Sequence, residues 1–227
     1  AKNGGGIYAP GAENKEYSIS LNGVSVKDNK AGTSSENGGV GGGICASRAW
    51  LQESSTGRLT LTNSEITGNR GVNGGGIYLD DGITATMDGG KISDNIASTT
   101  STTKHPSGGG IQVNGTFTMN SGKISHNIKD GQWSGGAGAF VSGTFTMNGG
   151  EVSRNIDTCT AEEAHTIGGG AFYVMGGRRD IHGGSIMGNA SYQGGAITFH
   201  HGPYARGTVN ITGGTITGNY CTKGNGG

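Results

Sequence analysis

The chain has 227 residues, with 50 glycines, 3 prolines, 31% hydrophobic residues and a formal net charge of zero. That much glycine without a Gly-X-Y period excludes collagen, and the repeated alternation of apolar with polar residues argues against disorder. Acidic and basic residues are interspersed, leaving no basic patch for nucleic acid or an anionic membrane surface, and no apolar run approaches the length of a membrane span.

A word reading Gly-Gly-Gly-Ile, or close to it, opens at Gly4, Gly41, Gly74, Gly108, Gly136, Gly168 and Gly194, at spacings of 37, 33, 34, 28, 32 and 26 residues. Within each copy the first predicted strand follows the glycines and carries Ile7, Ile44, Ile77, Ile111, Ala139, Ala171 or Ile197 at its apolar position. A second alternating stretch carries Leu21, Leu61, Met87, Met119, Met147, Ile181 or Ile211, and a third carries Val26, Ile66, Ile92, Ile124, Val152, Ile186 or Ile216. Apolar residues flanked by polar neighbours at a period of two mark strands with one buried face. Three strands too short to fold alone bury that face by closing into a coil and stacking on the next copy, which predicts an all-β, parallel β-helix solenoid of about seven three-strand coils. At the inter-strand spacing, seven coils make a rod core about 30 Å long.

The third strand ends on asparagine in every copy: Asn29, Asn69, Asn95, Asn127, Asn155, Asn189 and Asn219. Stacked side-chain amides can bond to the backbone and to one another from coil to coil, so these residues are expected to form a structural ladder. The glycines supply positive φ and close approach at tight corners. After each asparagine comes a tail of variable length, including Lys30–Glu36, Ser98–Ser107, Lys129–Trp133 and Thr158–Ile167, all expected to project at one corner. Ala1-Lys2-Asn3 reads as the tail of a preceding coil and Gly224-Asn225-Gly226-Gly227 as the opening of an eighth, so residues 1–227 are expected to form one β-helix domain within a longer array of flanking repeats.

Gly194-Gly195-Ala196-Ile197 and the pattern Phe-x-x-Asn at Phe117–Asn120 and Phe145–Asn148 resemble the repeats of chlamydial polymorphic outer-membrane proteins. The wider grammar is similar to the pectate-lyase-like β-helix repeats of large surface proteins of gut bacteria. The resemblance implies a right-handed parallel β-helix on a secreted or cell-surface bacterial protein, with adhesion to a glycan or a host or extracellular-matrix protein as the usual role. Pectate lyases and polygalacturonases share the fold, so the resemblance also admits a polysaccharide-acting lyase or glycoside hydrolase, and fold alone does not choose.

Function is sought where the repeat is broken. The outward positions of the second strand read Ser20, Thr60, Thr86, Thr118, Thr146, Asp180, Asn210 and, two residues earlier, Ser18, Arg58, Thr84, Thr116, Thr144, Arg178, Thr208. Copy six thus replaces threonines with Arg178 and Asp180, adds His182 on the same face and places Arg179 inward; His200, His201, Tyr204 and Arg206 follow in copy seven. If the chain is an enzyme, Arg178, Asp180, His182 and His200 are its catalytic candidates. A glycosidase needs a second carboxylate, however, and Asp180 has none near it except Glu162 and Glu163 in a tail of unknown reach. Asp80, Asp81, Asp28 and Asp94 do not cluster as a calcium site, and no metal or cofactor is implied. The Thr84/Thr86, Thr116/Thr118 and Thr144/Thr146 pairs also admit an ice-binding face, although threonine is a favoured outward strand residue in any case.

Another outward column reads Tyr8, Cys45, Tyr78, Gln112, Phe140, Phe172, Thr198. Phe140 and Phe172 are expected beneath folded-over tails, whereas Tyr8 and Tyr78 are candidates for binding, with Trp133, Arg178, His201 and Tyr204. Cys159 and Cys221 fall in tails two coils apart, about 10 Å by stacking alone, so a disulfide needs those tails to lean together. The expectation is a non-enzymatic adhesive or stalk module, with the polysaccharide-acting enzyme as its alternative and an ice-binding protein as the lesser one.

Overall fold

The computed structural model describes residues 3–12, 14–32, 38–48, 55–101, 105–132, 135–159, 168–200 and 207–222. All regular elements among the described residues are β-strands, stacked copy on copy in three parallel sheets. The first predicted strands, Ile7–Pro10, Ile44–Ser47, Ile77–Leu79, Ile111–Val113, Ala139–Val141, Phe172–Val174 and Ile197–Phe199, pair in sequence order as a seven-stranded sheet. The second and third predicted strands share one twelve-stranded sheet, because in copies three and four a single strand, Ile83–Ser93 or Thr116–Ser125, runs through both positions. The register between these two strands shifts on either side of Ser121, so the junction bulges without interrupting the sheet. The result is a parallel β-helix solenoid.

The second and third apolar columns stack in the register read from the sequence, Leu61 on Met87 on Met119 on Met147 on Ile181, and Ile66 on Ile92 on Ile124 on Val152 on Ile186. These residues are buried in one core, whereas Ile211 and Ile216 of copy seven are 48% and 45% exposed. The Phe-x-x-Asn pattern has a physical explanation. Phe117 and Phe145 stack inside the core, ring centroids 5.2 Å apart, while Asn120 donates to Asp88 and Asn148 to Asn120, each at 2.8 Å, as an exposed second ladder.

Copy six departs from the expected frame by one residue. Phe172, not Ala171, pairs with Ala139 and Ile197 and faces inward; Tyr173 takes the outward position expected for Phe172. The small Ala139 leaves room beside it, and Phe172 fills that room with its ring edge-on to Phe145, at a centroid distance of 4.9 Å. The positive-φ corner glycine of this copy is accordingly Gly169, with φ 83°.

The asparagine ladder runs through all seven copies. Asn127 shows the unit: its backbone N–H and Nδ2 both donate to Asn155 Oδ1, at 3.0 and 2.9 Å, and Nδ2 also donates back to the Ile92 carbonyl at 2.9 Å. Its own Oδ1 accepts the backbone N–H and Nδ2 of Asn95, so every polar atom of this fully buried amide is used. The same pattern carries the chain of amides from Asn29 through Asn69 and Asn95, and from Asn155 through Asn189 to Asn219. The ladder also dictates the glycines. A Cβ on Gly76 would lie 2.9 Å from the Asn95 amide nitrogen, and one on Gly74, at φ +62°, would collide with the Ile77 carbonyl oxygen.

One expectation needs correcting at the corner that follows the ladder. The tails do not leave as loops at once: Arg70–Gly71, Ile96–Ser98, Ile128–Asp130, Ile156–Asp157, Ala190–Ser191 and Tyr220–Cys221 form a six-stranded sheet of their own. The reason is the ladder itself, because amides fixed one step apart hold the backbones after them at pairing distance: Ile128 N–H bonds the Asn95 carbonyl, and Ile156 N–H the Asn127 carbonyl, both at 2.9 Å.

Candidate functional site

The outer face of the large sheet carries the polar row expected of copy six. Arg178–Ile181 pairs with Thr144–Met147 on one side and Thr208–Ile211 on the other, which brings Asp180 into line with Thr146 and Asn210. Arg178 Nε donates to Asp180 Oδ2 at 2.6 Å, and Asn210 Nδ2 approaches Asp180 Oδ1 at 3.5 Å. The bond from Arg178 holds the Asp180 carboxyl below the usual carboxylate range, and the same bond raises Arg178. His182 is exposed on this face, its Nδ1 2.8 Å from Thr212 Oγ1. An ionised carboxylate held by an arginine is suited to fixing the sheet surface or a cationic or hydroxylated ligand; it carries no proton to donate at neutral pH.

His200 belongs to a different cluster. It follows the strand Ile197–Phe199 of the first sheet, and its Nδ1 is 2.6 Å from the hydroxyl of Tyr173, with the rings edge to face. Tyr173 in turn stacks on Phe140, centroids 5.6 Å apart, and both rings are buried. The structure therefore joins Arg178, Asp180 and His182 in one row, and places His200 with the aromatic column instead. That column opens on Tyr8, 49% exposed, and continues through half-buried Tyr78, whose hydroxyl accepts a hydrogen bond from Asn114 Nδ2 at 3.0 Å. Burial, reinforced by Asp80, pushes both the Tyr78 phenol and the Cys45 thiol up to about 12, so neither ionises at neutral pH.

Arg179 does face inward, in register with Phe145 and Val209, and is 1% exposed. Its guanidinium donates to the carbonyls of Gly176 and Val141, while Nε has no partner among the described residues. Burial pushes this group down to about 10. It therefore serves as a plug for turn carbonyls within the core. The threonine pairs of copies three to five stand in register on the outer face, bounded by Arg58 below and Arg178 above.

The structure adds a second charged pair that the repeat pattern did not single out. Lys129 and Asp157 are register partners on adjacent strands of the six-stranded sheet, with Nζ 3.3 Å from Oδ1 and both side chains fully buried. Lys129 Nζ also donates to the Gly131 carbonyl at 2.7 Å, and Asp157 Oδ1 accepts the Cys159 N–H at 3.1 Å. Burial, only partly offset by Lys129, pushes the Asp157 carboxyl up to about 6. The sequence does carry a signal for this pair: the second residue after the ladder asparagine reads Gly71, Ala97, Lys129, Asp157, Ser191, Cys221, small side chains interrupted by two opposite charges in successive copies. The signal has meaning only once these positions are known to be strand rather than the start of loops.

Trp133, His201, Tyr204, Arg206, Glu162 and Glu163 lie outside the described residues. No disulfide joins Cys159 to Cys221. Among the described residues no group of three or more His, Cys, Asp or Glu side chains could hold a metal ion, and no helix is long and apolar enough to cross a membrane. Compared with protein-family models, curated proteins and solved structures, the chain matches none of them.

Proposed function

We propose that this β-helix is an adhesive or stalk module of a secreted or surface-anchored bacterial protein, with a glycan or a host matrix protein as its ligand. One observation carries the reading: the amide ladder continues unbroken through seven copies with the second and third strands at constant spacing before it, while length varies only in the segments after the ladder and in the turn between the first and second strands. A frame held constant inside and varied at its corners is what a display scaffold requires. The repeat words shared with bacterial surface proteins support the location and the class of ligand. The Arg178–Asp180–His182 row adds a polar strip able to bind hydroxyl-rich or charged groups.

The test is an array of host and plant glycans with matrix proteins, probed with the whole chain. Saturable binding that Trp133→Ala weakens at least tenfold, with no oligosaccharide released from the bound glycan, is the expected result. Release of oligosaccharides from a polysaccharide panel, abolished by Asp180→Ala in a folded protein, would overturn it in favour of the enzyme.

A further inference from the structure

The Lys129–Asp157 pair is an unusual element of a scaffold. It is fully buried, it bridges two adjacent coils, and no other ionic group shares it as a salt-bridge partner among the described residues. Taking two charges out of water costs several kcal/mol for each ion, and the attraction between them offsets that only when every remaining donor and acceptor is used. Here one is not: Asp157 Oδ2 is buried without a hydrogen-bond partner among the described residues.

We infer that Lys129 and Asp157 condense to an intramolecular isopeptide bond that covalently joins successive coils of the β-helix. The distribution of hydrogen bonds matches the product atom by atom. Lys129 Nζ keeps a hydrogen to donate to the Gly131 carbonyl, and Asp157 Oδ1 remains as the amide oxygen that accepts the Cys159 N–H. The oxygen that leaves is Oδ2, the one with no hydrogen-bond partner among the described residues. After condensation no charge and no orphaned oxygen is left at the site.

The step balances without any co-reactant. A proton passes from the ammonium to the carboxylate within the pair, giving a neutral amine and a neutral acid. The Nζ lone pair then attacks Cγ, the C–N bond forms and the Cγ–Oδ2 bond breaks. Oδ2 departs as water with two of the three ammonium hydrogens; the third stays on the amide nitrogen. Burial favours the neutral acid, as the upward displacement of Asp157 to about 6 reflects. Holding the two groups in contact supplies the effective concentration that the same condensation lacks in water.

Mass spectrometry of the full chain tests the bond directly. The denatured protein is expected to be lighter than its sequence by one water. Its tryptic digest should then contain the peptide that begins at Ile124 joined, through an uncleaved Lys129, to the peptide that begins at Asn155. Lys129→Arg should restore the full mass. Asp130-Gly131 can lose water by cyclising on its own backbone, so a water loss that persists in Lys129→Arg, with no joined peptides in the parent chain, overturns the proposal. Recovery of the two peptides separately and at full mass, after prolonged incubation of the folded protein, overturns it as well. Should Lys129→Arg fail to fold, joined peptides in the parent chain still establish the bond and their absence still refutes it.

Discussion

The residue before each ladder asparagine has a left-handed backbone: Asp28, Gly68, Asp94, His126, Arg154, Gly188 and Gly218 take φ between 53° and 66°. Three copies use glycine there, and two use aspartate, which tolerates the conformation; His126 and Arg154 do not belong to either class. Both are exposed, so their side chains contribute little that would be missed. Arg154→Gly is therefore expected to stabilise the protein, by about 0.5–1 kcal/mol once the greater freedom of glycine in the unfolded chain is subtracted. A shift of the urea midpoint to higher concentration checks it, and an unchanged or lower midpoint would mean that the Arg154 side chain contributes more than its exposure indicates. Asp180 allows a test of sign. Its carboxyl sits below the ordinary value in the folded state, so its contribution is present above the unfolded pKa and is lost as pH falls through the folded one. Asp180→Asn should lower the urea midpoint slightly at neutral pH, and the two proteins should converge well below pH ~3.9.

At the scale of elements, the third strand and the ladder asparagine behave as one unit. The strand supplies a carbonyl to the next amide, and the amide sets the start of the post-asparagine strand. Asn127→Ala leaves the Asn95 N–H without its acceptor and takes the Nδ2 donor from the Ile92 carbonyl, both inside the core. Each stranded group costs about 1–3 kcal/mol, so a loss of about 3 kcal/mol or more is expected in urea unfolding. A loss under about 1 kcal/mol, the lower end for a single stranded group, would show that water or a backbone shift replaces the amide. The Phe-x-x-Asn pattern works in the same way on the neighbouring corner, with one side chain stacked inside and one laddered outside.

Across the whole molecule each coil touches only the coils beside it, so order is transmitted along the rod by repeated neighbour contacts. Beside the backbone hydrogen bonds of the sheets, three kinds of side-chain contact do this: apolar columns inside, amides at the corner, and threonines with the ion pairs Glu65–Lys91 and Lys123–Glu151 on the outer face. Lys129 and Asp157 add a fourth between copies four and five, and it is the only fully buried salt bridge among the described residues. An isopeptide bond there would change the character of that step, because coils held by hydrogen bonds separate under load, whereas coils joined covalently do not.

Much of this architecture is legible in the chain. The recurrence of glycine words, of apolar positions at a period of two and of a terminal asparagine determines a stack of coils, since each signal is local and repeats in register. The stacking partner of every second- and third-strand apolar residue, the ladder, and the row of Arg178, Asp180 and His182 follow from alignment of the copies alone. The tertiary structure decided what depends on the neighbouring coil. Ala171 and Phe172 are both apolar, and only the space beside Ala139 and the ring of Phe145 turns Phe172 inward and Tyr173 outward. His200 stands close in sequence to the second strand of copy seven but bonds to Tyr173 across the first sheet, away from Asp180, because sheet membership and not sequence distance sets its neighbours. Lys129 and Asp157 meet because the ladder extends pairing past the asparagines, so two residues that read as loop become a buried pair by the geometry of the coil beneath them.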